Sequence, residues 1–405
     1  MTIGKKKRKL IKTAFFAALF FVLLAAFSLA ADGSSSADDG EKTLKEVEQE
    51  LTDNVDKNLD GLDLGEFERF LSSLDQSPLD KSLKDYIKAI IGGDFGGGHD
   101  AFFKAAAKLV AGDAAAVVPM VVSIVIICLL SGFVSGITSD FLKKSTHEII
   151  FFVCYALIIV ILLTRVVGYI DGVKRLLSNM TGLMNILFPL LLTFMSALGG
   201  TIGAAAYQPL MATLAVTIIA IINAVILPCF IASIIFSIIG NMSETVRLEG
   251  FRRFFKSAAN WLLGGVFTLF MLFVTAKGIT GAAVDGVTVD AVKFAVSSYV
   301  PVLGGYLSDG FDLVMGSMVL IKNALGYTGI MVLLSMLLSP VVKMTVFILA
   351  LKLTAAIAEP IADKRISKMI SGLASNMQLL ISSVLGVGFM FFVTVMLVVM
   401  TANAF

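Results

Sequence analysis

Apolar residues in this chain fall into long unbroken runs separated by short polar stretches, the pattern of helices that cross a bilayer. Runs of spanning length cover about 114–138, 149–170, 208–240, 261–283, 328–352 and 379–400, set against the roughly 20 residues a crossing helix needs. Two further apolar stretches, about 186–206 and 299–325, carry breakers. The first holds Pro189, Gly199, Gly200 and Gly203; the second holds Pro301, Gly304, Gly305, Gly310 and Gly316. Both read as broken or re-entrant helices that return to the side they entered from. The pattern predicts an all-α polytopic membrane protein: about six transmembrane helices plus two broken helices, with a small helical extracytoplasmic region before them.

The first residues have a different character. Lys5, Lys6, Lys7, Arg8, Lys9 and Lys12 precede an apolar run from Thr13 to Phe27, and in Ser28, Leu29 and Ala30 the small Ser28 and Ala30 occupy the −3 and −1 positions of a cut after Ala30. Residues 1–31 therefore read as a secretory signal peptide, with an uncleaved first transmembrane helix as the alternative. Either reading starts residue 32 outside the cytoplasm.

Residues 32–113 are polar and acidic, with 19 Asp or Glu against 9 Lys or Arg. Leu44, Val47, Leu51 and Val55 form one helical stripe; Leu79, Leu83, Tyr86, Ile87 and Ile90 form another, with Ser77–Pro78 as its expected start and Gly92–Gly93 as its stop. The glycines of Phe95–His99 read as a linker before the next helix.

Charge orients the rest. With 57% hydrophobic and only 15% charged residues, the chain is too apolar for a soluble fold of 405 residues. Loops holding Lys143 and Lys144, then Arg247, Arg252, Arg253 and Lys256, then Lys364, Arg365 and Lys368 carry nine basic residues; those holding Lys174, Arg175 and Lys293 carry three. The positive-inside rule puts the first set in the cytoplasm and the acidic region and C-terminus outside. Within 241–260, Phe251, Phe254 and Phe255 interleave with Arg247, Arg252, Arg253 and Lys256. This segment is expected to lie flat at the interface, its cations on lipid phosphates, or else to bind a partner.

An internal echo divides the membrane part. Asp171-Gly172-Val173 recurs as Asp285-Gly286-Val287, Pro189 as Pro301, and Pro228 as Pro340. The expected organisation is a transmembrane hairpin at 114–170, membrane repeat 1 at 171–284 and membrane repeat 2 at 285–405, each repeat opening with an outside turn at Asp-Gly-Val. Helix ends inside a bilayer expose backbone polar groups that need protein or water, so the broken segments are the expected site of a conduit. Its candidate residues are Pro189, Gly199, Gly200, Pro301, Gly304, Gly305, Asp309, Asp312, Lys322 and Asn323. A contact of Asp309 or Asp312 with Lys322 is expected there, or else all three sit at the outer surface. Lys277, Lys343 and Lys352 read as snorkelling residues.

Catalytic chemistry finds no purchase. Cys128, Cys154 and Cys229 lack metal or disulfide spacing, and the two histidines, His99 and His147, belong to no HExxH pattern. No enzyme, cofactor or metal is expected, and no nucleic acid.

The stretches AVKFAVSSYVPVLGGYLSDGFDLVMGSMVLIKNALG (291–326) and PLLLTFMSALGG (189–200), with the signal, the acidic region and the order of apolar segments, carry a resemblance. The chain resembles the stage III sporulation protein AE family of endospore-forming bacteria. The resemblance implies a multi-pass protein of the mother-cell membrane around the forespore. Its implied partners are the other proteins of the same sporulation operon, an ATPase and ring-forming subunits among them, in a channel or feeding apparatus required for forespore development. Besides the lipid bilayer, a homo-oligomer is compatible with this picture. An independent secondary transporter and a non-conducting scaffold for soluble ring proteins are the alternatives; a shortage of Asp, Glu and His in the spans argues against the carrier.

Overall fold

The computed structural model describes residues 53–59, 61–74, 82–92, 98–141, 144–198, 216–242, 248–299 and 304–401, with backbone alone over 98–106, 134–147, 276–299 and 304–312. The signal segment, Ser77, Pro78, Gly199, Gly200, Pro301, Lys143 and Arg247 lie outside the described residues. Helices account for the architecture: α1 (Gly65–Ser73), α2 (Leu83–Ile91), α3 (Gly98–Phe141), α4 (Lys144–Ala197), α5 (Leu227–Met242), α6 (Glu249–Tyr299), α7 (Gly304–Ala358) and α8 (Lys364–Met400). A helical turn at 53–59 precedes α1, and no strand occurs among the described residues.

The small helices obey local rules. The Ser82 hydroxyl caps α2, accepting from the Asp85 N–H at 3.2 Å and donating to the Asp85 carboxylate at 2.7 Å, and Gly92 ends the helix. Leu83 and Ile87 are buried as their stripe requires, and so are Phe67 and Leu71 of α1, an element the apolar pattern leaves unassigned. Together with Val55 and Leu59 these side chains make the core of a cap that joins the core of the bundle. Phe70 sits where a Cβ on Gly182 of α4 would be, and the Asn58 amide donates to Ser317 of α7 at 2.9 Å.

Six stretches are long and apolar enough to cross a bilayer among the described residues: Ala107–Phe133, Glu148–Ala197, Val216–Met242, Glu249–Thr275, Leu313–Ala358 and Lys364–Met400. Exposed large apolar side chains run from Val110 to Phe133 on α3, Ile149 to Val167 on α4, Val216 to Ile239 through α5, and Phe251 to Leu272 on α6. At 1.5 Å per residue these bands are about 27–35 Å tall, which matches a hydrocarbon layer of about 30 Å. The α8 helix has no such band and is buried along almost its whole length, so it forms the axis on which the others pack.

Its main partner is α7, antiparallel to it. Val399 fills the space above Gly326, Leu337 that above Gly388, and the Ser367 hydroxyl donates to the Ala355 carbonyl at 3.0 Å. The α4 helix runs antiparallel to α7 as well: Tyr169 meets Phe347 at 4.7 Å between ring centroids, and Leu187 covers Gly329. With 54 and 55 residues, α4 and α7 are each about 80 Å long, more than twice the hydrocarbon thickness. Both therefore continue beyond the bilayer.

Three expectations need correction. Pro189 does not break its segment: α4 passes through it to Ala197, and residues 304–325 are the continuous start of α7. Leu187, Phe188, Leu191 and Leu192 are buried on either side of Pro189, and that packing outweighs the roughly 3 kcal/mol a mid-helix proline costs. The Asp-Gly-Val triplets are not turns. Asp171–Val173 lies within α4 and Asp285–Val287 within α6, so positions 171 and 285 fall inside helices; around the first, Ile170, Val173, Leu176 and Leu177 keep one buried face through the polar run. Nor is 249–260 a separate helix lying flat. It is the first part of α6, continuous with the apolar stretch after it.

Pro228 is handled differently. Just before it the chain widens into a π turn, Ile222–Ile226, in which the Leu227 N–H bonds the Ile222 carbonyl, relieving the ring of the carbonyl it would otherwise strike.

Packing of α3 on the α7–α8 connection depends on Gly132, because a Cβ there would lie 2.0 Å from the Ile361 carbonyl oxygen. Gly132→Ala should destabilise the bundle by about 1–3 kcal/mol, seen as a lower unfolding temperature in detergent. Gly264→Ala in α6, where nothing lies within 4 Å, should leave that temperature unchanged or raise it.

Candidate functional site

The bundle has two dissimilar ends. At one, the helix connections converge. Arg365 lies 3.7 Å from the Phe151 ring centroid, the Tyr155 hydroxyl donates to the Ile238 carbonyl at 2.6 Å, and Gly132 meets Ile361. The starts of α4, α6 and α8 and the end of α5 thus share one end, with Arg252, Arg253, Lys256, Lys364, Arg365 and Lys368 around it. Four of these six cations are engaged by protein. Glu249 binds Arg252 through the guanidinium Nε at 2.8 Å and lies 3.6 Å from Arg253; Lys256 Nζ donates to the Ser375 carbonyl and hydroxyl at 2.5 Å; Arg365 pairs with Asp363 at 3.1 Å. Phe251 and Phe255 sandwich Phe236 of α5, each 5.4 Å away, whereas Phe254 stays exposed. The basic-aromatic segment therefore fastens α6 to α5 and α8. The Ser233 hydroxyl, bonded to the Arg252 carbonyl and to Asn376, adds to the same joint.

At the other end sit the cap, the second half of α4, the first half of α7 and the last turn of α8. Lys322 is fully buried there, and its Nζ donates to the Thr401 carbonyl at 2.5 Å, tying α7 to the end of α8. Asp309 and Asp312 lie on the same continuous helix α7, ten residues or more before Lys322 and so about 15 Å or more from it along the axis. Their side chains, and with them the expected contact, lie outside what the structure describes. The Asn323 Oδ1 is buried with no hydrogen-bond partner among the described residues. Leu187 against Gly329 brings the Pro189 turn of α4 to this end too. Gly304 and Gly305 open α7, while Gly199, Gly200 and Pro301 are not among the described residues.

Between the ends, α3, α4 and α7 enclose an open cavity of about 920 Å³ whose rim on the cap side is Leu74. Asp113, Arg165, Tyr169, Arg175, Asn179 and Lys343 supply its polar lining, and Val117, Val160, Ile161 and Met336 are among its apolar walls.

A family model described as stage III sporulation protein AE matches residues 81–402. The chain belongs to the stage III sporulation protein AE family. It is 22% identical over 358 residues to the stage III sporulation protein AE of Bacillus subtilis (strain 168), an alignment covering 88% of this chain and 90% of that one. No solved structure matches. A role in sporulation follows from the family, and the six apolar helices make this member a membrane protein.

The cavity is what sequence reasoning misses. Arg165 belongs to no motif and lies inside an apolar run, and Lys343 reads as one snorkelling residue among several. Their spacing from Asp113 and Arg175 along the chain is too large for any local motif. The one available signal is that Arg165 and Lys343 are isolated cations in otherwise apolar spans.

The Lys322 contact yields a graded expectation. Lys322→Met, which keeps the volume and removes the charge, should lower the unfolding temperature little, whereas Lys322→Ala leaves a void and should cost about 2–5 kcal/mol. Thermal unfolding of the purified variants in detergent separates the two.

Proposed function

We propose that this family member is a membrane subunit of a channel or feeding apparatus between mother cell and forespore, and that it works as a non-enzymatic assembly component. It sits in the mother-cell membrane around the forespore, with the basic end in the cytoplasm and the cap and the end of α8 in the space between the two membranes. The observation that supports this reading best is the docking of the acidic cap on α4 and α7 where those two helices run past the apolar bands. A carrier working alone has no need of a charged platform held off the bilayer. A subunit that must meet ring-forming proteins does. The convergence of the basic helix starts at one end supports the orientation, since such residues are retained in the cytoplasm.

Orientation is testable by single-cysteine labelling in a variant lacking Cys128, Cys154 and Cys229. Glu68→Cys, exposed on the cap, should react with an impermeant maleimide added outside intact cells, and Arg253→Cys, 74% exposed at the basic end, should react only after lysis. The reverse pattern overturns the orientation. For the function, Gly182→Leu drives Phe70 off α4 and should loosen the cap. In sporulating cells it should reduce co-purification of the operon's ring-forming subunits and lower the yield of heat-resistant spores at unchanged protein level. Native co-purification and spore yield in cells whose chain lacks residues 53–92 would refute a partner-binding cap. Solute movement by the chain alone in liposomes would instead favour the carrier.

A further inference from the structure

We propose that the cavity between α3, α4 and α7 binds the phosphodiester headgroup of an anionic phospholipid, with Arg165, Arg175 and Lys343 as its ligands. The inference concerns the bilayer and is independent of the assembly reading above.

Charge is the first support. Arg165, Arg175 and Lys343 line one cavity, and none of them makes a hydrogen bond or ion pair among the described residues. At the basic end of the bundle, by comparison, Arg252 and Arg253 are engaged by Glu249, Lys256 by Ser375 and Arg365 by Asp363. The only acid in the cavity lining among the described residues is Asp113, whose Oδ2 is buried without a hydrogen-bond partner there, so it neutralises none of the three by direct contact. A cation at the margin of hydrocarbon stays charged only with an anion or water beside it.

Position is the second. On α4 the exposed large apolar side chains begin at Ile149 and stop at Val167, and none follows on the rest of that helix. Arg165 and Arg175 straddle that stop, and Leu74 of the cap closes the cavity on its polar side. The cations thus lie where acyl chains give way to headgroups. Val160 is 63% exposed and lines the cavity, and Val118 and Val122 are exposed on α3 beside it, so acyl chains can run from the site along a continuous apolar surface. A free phosphate ion would use the cations and leave those walls bare.

Polarity is the third. Tyr169 and Asn179 add hydroxyl and amide groups to the same lining, and Ser339 of α7 adds one more hydroxyl, that of Ser335 donating to the Val332 carbonyl. Such neutral donors suit ester and glycerol oxygens beside a phosphate. Three cations against one acid make the cavity selective for a net-negative headgroup over a zwitterionic one.

The test uses the delipidated full-length chain in a neutral detergent, titrated with dihexanoyl phosphatidylglycerol and read by thermal unfolding and native mass spectrometry. Saturable binding is expected, weakened about fivefold by each of Arg165→Gln, Arg175→Gln and Lys343→Gln and about a hundredfold by all three. Asp113→Asn should tighten it several-fold, a gain that a misfolded protein does not mimic. Arg253→Gln, at the far end of the bundle, should change nothing. Equal binding of dihexanoyl phosphatidylcholine, or phosphatidylglycerol binding unaffected by the triple variant or by Asp113→Asn, would overturn the site. Inorganic phosphate or glycerol phosphate binding as tightly as the lipid would assign it to a free phosphate and overturn the lipid.

Discussion

A backbone N–H or C=O without a partner in hydrocarbon costs several kilocalories per mole, and this constraint shapes the whole bundle. Ending a helix inside the bilayer leaves up to four such groups at each end, so a proline that deletes one bond is the lesser cost. The chain takes that course at Pro119, Pro189 and Pro340, which all lie inside long helices, and at Pro228 it adds a π turn. Continuity through these sites makes α4 and α7 about 80 Å long and carries them beyond the bilayer. Everything at the cap end, from the Asn58–Ser317 bond to the anchoring of Lys322, depends on that overreach.

Among apolar helices in an apolar solvent, hydrophobicity does little to choose partners. Packing and a few polar contacts do that work. Gly326 under Val399, Gly329 under Leu187 and Gly388 under Leu337 are places where a missing Cβ admits a neighbouring side chain. Set at intervals along α7 and α8, they fix the antiparallel register of α4, α7 and α8. The Ser233–Asn376 bond and the Lys256–Ser375 contact place α5 and α6 against the first half of α8, and so set the basic end.

The two ends differ in how their charges are held. Near the helix starts, Glu249 engages Arg252 and Arg253, Asp363 engages Arg365 and Ser375 engages Lys256, which fastens that end. Around the α3–α4–α7 cavity, Arg165, Arg175 and Lys343 have no such partner among the described residues. This member of the sporulation family thereby has a helical cap docked at one end of the bundle, a fastened basic end opposite, and a cation-lined cavity between them.

Much of this architecture is legible in the amino-acid sequence alone. Runs of about 20 apolar residues name their solvent, and the positive-inside pattern groups Arg252, Lys256, Lys364 and Arg365 as the folded bundle does, because both signals are local and additive. The resemblance carried by 291–326 and 189–200 points to the family whose model matches residues 81–402. Whether Pro189 ends a helix is not legible, since the penalty is local but the compensating burial of Leu187, Phe188, Leu191 and Leu192 comes from other helices. The same holds for Asp171–Val173, a turn by composition and a helix by what packs on Ile170 and Val173. Only the tertiary structure could bring Arg165 and Arg175 to Lys343, at positions 165, 175 and 343 of the chain, or bring Lys322 to the Thr401 carbonyl at the end of α8. Local chemistry sets which segments enter the membrane; contacts between distant segments set where each helix ends and which charges meet.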